Sequence, residues 1–207
     1  MPSSFAPFGL SCVGYLGASK PRSSTYDFPI LSGTAYNFGS GEPVALSDGH
    51  ISFVSPATAN PPGTVNELIL GVWQSVEYQP SQANTPPATF PYWVAGTTTF
   101  NAADGMVAVS VDPFQIYNVQ ANGSLTVANI GNCFNLGGFV GGGAGGNSVV
   151  YLNTTAISTS GTWGQVKLIG LAPTTPAYPT NNWTDSFPIV QVVLNNTQFK
   201  LGQYSYD

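Results

Sequence analysis

The stretch Pro43-Val-Ala-Leu-Ser-Asp-Gly-His-Ile-Ser-Phe-Val54 decides the fold class. Two short apolar runs flank Ser47-Asp48-Gly49-His50, and an Asp-Gly pair supplies the positive φ values that a tight hairpin turn demands. Working outward, the same grammar repeats. Glu67 to Tyr78 (ELILGVWQSVEY) is a long β-rich run broken at Gly71, a position suited to a bulge or bend. Phe90 to Thr99 predicts a further strand, Asn101 to Gly105 a turn, and Met106 to Val111 a strand. Phe114 to Val119 alternates cleanly and ends at an Asn122-Gly123 turn. Thr126 to Ile130 predicts a single short helical piece, with Thr126 as N-cap and Gly131 as stop. Ser148 to Leu152, Gly164 to Leu171 and Pro188 to Leu194 are the closing strands, with Gln198 to Leu201 after the Asn195-Asn196 turn. Turn signals recur every ~8–12 residues, the spacing that sandwiches and barrels share. No long run carries helical periodicity. The expected class is all-β.

Residues 1–40 read differently, as an extended N-terminal arm ahead of a single domain over residues 41–207. Pro2, Pro7, Pro21 and Pro29 fix φ and remove donors, and Gly9, Gly14, Gly17 and Gly33 punctuate the rest. Phe5, Phe8, Leu10, Tyr15, Tyr26 and Phe28 are scattered through it without period. A segment of this kind docks on something. Either a neighbouring subunit or the arm's own domain receives it, and the six side chains are the candidate contact residues. Two Pro-rich segments, Ser55 to Gly63 and Gln79 to Pro91, are expected to be long loops.

Composition narrows the function. Only 6% of the 207 residues are charged, against about 25% in an ordinary soluble domain, while 13% are aromatic. That excludes a disordered chain, which is charge-rich and aromatic-poor, and favours a β protein whose surface lies against partners. Net charge is −5, and the only basic residues are Lys20, Arg22, Lys167 and Lys200. Neither nucleic acid, which needs a basic stripe to displace counterions, nor an anionic membrane surface is an expected partner. No apolar run reaches the roughly 20 residues of a membrane helix. The N-terminus lacks a basic and then apolar leader pattern, so synthesis in a cytoplasm is expected. In that compartment Cys12 and Cys133 are expected as thiols.

Chemistry finds little purchase. His50 is the only histidine, which rules out a histidine-pair metal site, and the isolated cysteines give no zinc spacing. A Ser-His-Asp triad would have to use His50, yet no Gly-x-Ser-x-Gly elbow exists. Asp48 and Asp104 sit in Asp-Gly turns, and Glu67 and Glu77 bracket one strand, too far apart to share a site. The run Gly137-Gly-Phe-Val-Gly-Gly-Gly-Ala-Gly-Gly146 lacks the Gly-Lys-Ser/Thr and helix of a phosphate loop. No catalytic residue, metal or cofactor is expected. Trp73, Trp93, Trp163 and Trp183 leave a sugar-stacking platform as the alternative to core packing.

In order along the chain, the motifs are Ala6-Pro7-Phe8-Gly9-Leu10, Gly41-Glu42-Pro43-Val44-Ala45-Leu46, Gly71-Val72-Trp73 to Tyr78-Gln79-Pro80, Asp112-Pro113-Phe114-Gln115-Ile116 and Gly123-Ser124-Leu125-Thr126-Val127-Ala128-Asn129-Ile130-Gly131. Their succession resembles the cement, or decoration, proteins of tailed-phage heads, which carry an N-terminal Ala-Pro-Phe-Gly-Leu signature. The strand Val166 to Leu171 and the closing Val192-Val193-Leu194-Asn195-Asn196 match in kind. Ser11-Cys12 departs from the Arg-Pro that often follows the signature. The resemblance implies a β-sandwich or jelly-roll-like domain. It also implies a homo-oligomer, dimer or trimer, on the outer capsid surface of a virion, stabilising contacts between subunits of the major capsid protein. The alternative is a phage tail, fibre or lectin-like carbohydrate-binding module.

Overall fold

The computed structural model describes residues 4–16, 25–54, 68–82, 85–139, 146–158, 164–174 and 180–199. Among them there is no α-helix, and twelve strands form two antiparallel six-stranded sheets packed as a β-sandwich. The strands are β1 (Ser11–Tyr15), β2 (Thr25–Ile30), β3 (Pro43–Ser47), β4 (His50–Phe53), β5 (Gly71–Tyr78) and β6 (Ala88–Phe90), then β7 (Gly105–Ser110), β8 (Gln115–Gln120), β9 (Cys133–Gly137), β10 (Tyr151–Ser158), β11 (Val166–Leu171) and β12 (Ile189–Leu194). One sheet runs β1-β8-β12-β11-β9-β10; the other runs β2-β7-β5-β3-β4, with β6 on the far half of β5. The chain therefore crosses between sheets twice, after β1 and at the corner between β7 and β8.

The β3–β4 hairpin is where the sequence places it. Asp48 and Gly49 take φ of 50° and 80°, the geometry that makes Asp-Gly the preferred pair. Leu46 faces Ile51 across it.

The expected strand Glu67 to Tyr78 begins at Gly71, and its register shifts between Trp73 and Ser75 rather than at Gly71; β3 and the first half of β5 are buried on both faces. Ala45 and Val72 face a core shared with Tyr117, Val119, Phe134, Leu152, Leu168 and Val192 of the opposite sheet. Val44, Trp73 and Val76 face the other way, into a second core with Ile30, Ile51, Val107 and Val109. That second core exists because its sheet curls until β2 and β4 touch. Phe38 closes over it, stacked flat on Trp73 at 5.2 Å and 6°.

Several expectations are corrected. Phe90 to Thr99 is not one strand: β6 stops at Phe90, Trp93 bridges to Phe38, and Gly96 turns at φ 76°. Pro91 withholds a ladder donor, and Trp93 is drawn into the second core. The expected loop Gln79 to Pro91 contains β6, whereas Ser55 to Gly63 lies outside the described residues. Thr126 does open a short 3-10 turn, Val127–Asn129, and Gly131 follows it at φ 89°. Strand β9 carries no sequence signal of its own. Thr197 bridges to Ile69 and Gln198 and Phe199 form a turn where a last strand was expected; residues 200 and 201 lie outside the described residues.

The described part of residues 1–40 lies on its own domain. β1 is the edge strand beside β8, with a bulge between Cys12 and Gly14, and β2 is the edge strand beside β7. Extended amide side chains stand in where strand partners run out. Gln120 accepts from the Ala6 amide at 2.7 Å and donates to the Ser4 carbonyl at 3.0 Å. Gln198 pairs both ways with the Leu46 backbone, and Asn181 bonds Ala172 and Ile189.

Candidate functional site

The six candidate contact residues divide by what their elements bury. Leu10 is 2% exposed and sits in the inter-sheet core, and Tyr15 is also buried. Both are used by their own domain: Leu10 because the segment leading into β1 reaches the inter-sheet core, and Tyr15 at the end of β1, paired with Gln115 of β8. Phe5 is 42% exposed and rests on Tyr151 and Phe187, each with ring centroids 5.3 Å away. Phe8 is half-buried. Phe28 packs on the second core, 6.3 Å from the Phe199 ring. Tyr26 alone is mostly exposed, at 61%. Phe5 lies at the Gln120 end of β8, whereas Tyr26 on β2 faces Val109, close to the β7–β8 corner. The structure does not gather the six into one surface.

Three further exposed apolar residues lie toward the same corner as Tyr26. Leu16 donates its amide to the Phe114 carbonyl at 2.9 Å, and Val13 is the extra residue of the β1 bulge. Val13, Leu16, Tyr26 and Phe114 are all exposed, Phe114 to 63%. Sequence reasoning did not single out Val13, Leu16 and Phe114, since neither the bulge that exposes Val13 nor the turns that expose Leu16 and Phe114 are announced by alternation. Asp112 holds the corner by accepting from the Phe114 amide at 2.8 Å.

A second feature lies inside. Ala6 to Leu10 and Gly41 to Leu46, read separately in the sequence, meet at one junction: Leu10 donates to the Gly41 carbonyl at 2.9 Å and Gly9 to that of Val150 at 3.2 Å. Glu42 is buried there, and neither carboxyl oxygen completes a hydrogen bond. Burial pushes its pKa up to about 7, with the approach of the Ser148 hydroxyl partly offsetting this.

His50 bonds Asp104 through Nε2 at 3.2 Å and the Asp48 carbonyl through Nδ1 at 3.0 Å. The Asp104 contact is a half-exposed pair that ties the β3–β4 turn to the loop before β7, a type contributing at most about 1 kcal/mol. Among the described residues, no group of three or more His, Cys, Asp or Glu could hold a metal ion. No disulfide joins Cys12, exposed on β1, to Cys133, buried on β9. Trp73 and Trp93 are buried and Trp183 packs against the inter-sheet core; Trp163 lies outside the described residues. Comparison with protein-family models, with curated proteins and with solved structures gives no match.

Proposed function

We propose that this chain is a structural, non-catalytic virion protein. It binds the outer capsid surface of a tailed phage as a homo-oligomer and stabilises contacts between major capsid protein subunits. The observation that carries the reading is a set of four exposed apolar side chains near the β7–β8 corner: Val13 on edge strand β1, Leu16 just after it, Tyr26 on edge strand β2 and Phe114 in the turn before β8, in a chain with 6% charged residues. An open edge and clustered apolar side chains suit strand addition or insertion into a neighbour's groove. Net charge of −5 suits the outer face of a shell whose inner face meets DNA. The order of motifs from Ala6-Pro7-Phe8-Gly9-Leu10 onward, resembling decoration proteins, supplies the class of partner. A clamp that binds only the assembled shell stabilises it by mass action. Burial of Trp73 and Trp93 weakens the alternative of a lectin-like platform.

Co-expression with the major capsid protein of the same genome, followed by sedimentation of assembled shells, tests this. The chain is expected to travel with the shells in fixed stoichiometry. A chain left wholly in the supernatant, or one that binds glycans and no shell, overturns the proposal.

A further inference from the structure

Three segments converge on Glu42. Residues 8–10 approach from one side, with the two hydrogen bonds from Gly9 and Leu10 already described. Residues 39–43 carry the glutamate itself. The third segment, 146–150, is the exit of the glycine-rich run: Ser40 donates to the Gly146 carbonyl and Ser148 to the Ser40 carbonyl, each at 3.0 Å. Packing is tight enough that a Cβ on Gly9 would lie 2.5 Å from the Ser148 Cβ, and one on Gly39 would lie 2.7 Å from the Gly146 carbonyl oxygen. None of these segments carries another charged residue, and neither does Leu70 to Trp73, which packs beside Glu42. Among the described residues, phenols lie nearby: Tyr92 against Gly146, and Tyr151, next to Val150, against Gly138.

A carboxyl group in such a place is tolerated as the neutral acid and not as an unpaired anion. We propose that Glu42 is a proton-dependent latch: as the acid it locks the N-terminal segment and the exit of the glycine-rich run onto the body, and as the carboxylate it forces the junction open. Its proton passes to solvent on opening. Because burial raises the pKa to about 7, the change falls in the neutral range, closed below and opening above. The latch acts within one chain and stands whether or not that chain binds a shell. Opening frees residues 4–10, and with them Phe5 and Phe8, for a new contact.

The full chain has three glutamates, Glu42, Glu67 and Glu77, so carbon-13 labelling of glutamate carboxyls gives a spectrum simple enough to titrate. One carboxyl, absent in Glu42→Gln, is expected to titrate near neutrality. Over the same range, amide-exchange protection of Leu10 and Ser148 should fall by about tenfold relative to Val192 on central strand β12. In Glu42→Gln the ratio should hold constant. If that variant fails to fold, the internal ratio in the natural chain still decides. A Glu42 that titrates with the other two, or junction amides whose relative protection ignores its ionisation, overturns the latch.

Discussion

The amide of Leu10 donates to the carbonyl of Gly41 at 2.9 Å, so two motifs far apart in the sequence are one structural unit. Gly9 makes that contact possible. Its φ is +77°, and an added Cβ would meet the Ser148 Cβ and the Gly41 carbonyl oxygen at 2.5 and 2.8 Å. Gly9→Ala is expected to lose roughly 2–4 kcal/mol, combining left-handed strain with overpacking. Gly14→Ala is the control: nothing lies within 4 Å of its added Cβ, and its midpoint in denaturant should shift far less.

Leu10 and Phe5 separate a folded arm from a free one. Leu10→Ala should cost about 2–5 kcal/mol, as for any large side chain removed from a core. Phe5→Ala, taken from a half-open ring contact, should cost clearly less. Deletion of residues 1–12 removes Leu10 from the core and is expected to lower the melting temperature. Equal melting temperatures for the deleted and full chains would mean that this segment does not rest on its own domain in solution.

The legible parts of the fold were those in which local chemistry and tertiary packing agree. Asp48-Gly49 forces its turn whatever surrounds it, and Thr126 and Gly131 bracket a turn by their own conformational preferences. Within Glu67 to Tyr78, the strand Gly71–Tyr78 is legible, but not the burial of its first half on both faces, because the second core depends on the curl that brings β2 to β4. Strand β9 is held by β10 and β11, partners that a short run such as Cys133 to Gly137 does not announce. For the candidate site, sequence identified the apolar residues of the N-terminal segment and could not sort them. Leu10 and Phe5 look alike until the junction at Gly41 draws one inward. Glu42 is visible in the sequence as part of the Gly41 to Leu46 motif and as one of nine acidic residues; its isolation is a property of three segments meeting.

Asn181 offers a test of the amide side chains that replace charge. Its Nδ2 donates to the Ala172 and Ile189 carbonyls, each at 2.8 Å, and its Oδ1 accepts from the Ile189 amide at 2.9 Å. Asn181→Asp turns the donor into an acceptor facing two carbonyls. It should cost more than Asn181→Ala, which itself should cost about 1–3 kcal/mol for the backbone groups left unpaired. Thermal melts of the two variants in one buffer rank them.

Stability should also fall as pH rises through the interval set by Glu42. The carboxyl has a folded pKa of about 7 against an ordinary value of 4.5, so the folded chain binds more protons than the unfolded one between those values. The slope of unfolding free energy with pH is then negative. At about 1.4 kcal/mol per pH unit, the full interval amounts to roughly 3 kcal/mol. Denaturant midpoints at the two ends of the interval read this directly, and Glu42→Gln should remove most of the slope. A natural chain equally stable at both ends would show that the folded state does not hold Glu42 as an acid.

The corner patch carries the functional prediction. Val13, Leu16, Tyr26 and Phe114 are exposed, so Val13→Lys and Phe114→Ser should leave folding stability within about 0.5 kcal/mol. If this face meets a capsid subunit, each substitution removes apolar burial worth roughly 1.5–3 kcal/mol. The lysine also places an unpaired charge in a desolvated contact. Such losses multiply when an oligomer grips several sites at once, so the double variant should remain folded and leave shells bare at concentrations where the natural chain saturates them. Shell sedimentation with matched melting curves makes the measurement. A double variant that folds and still decorates with unchanged affinity would move the contact away from this corner, and Phe5 beside Tyr151 and Phe187 would be the next surface to alter.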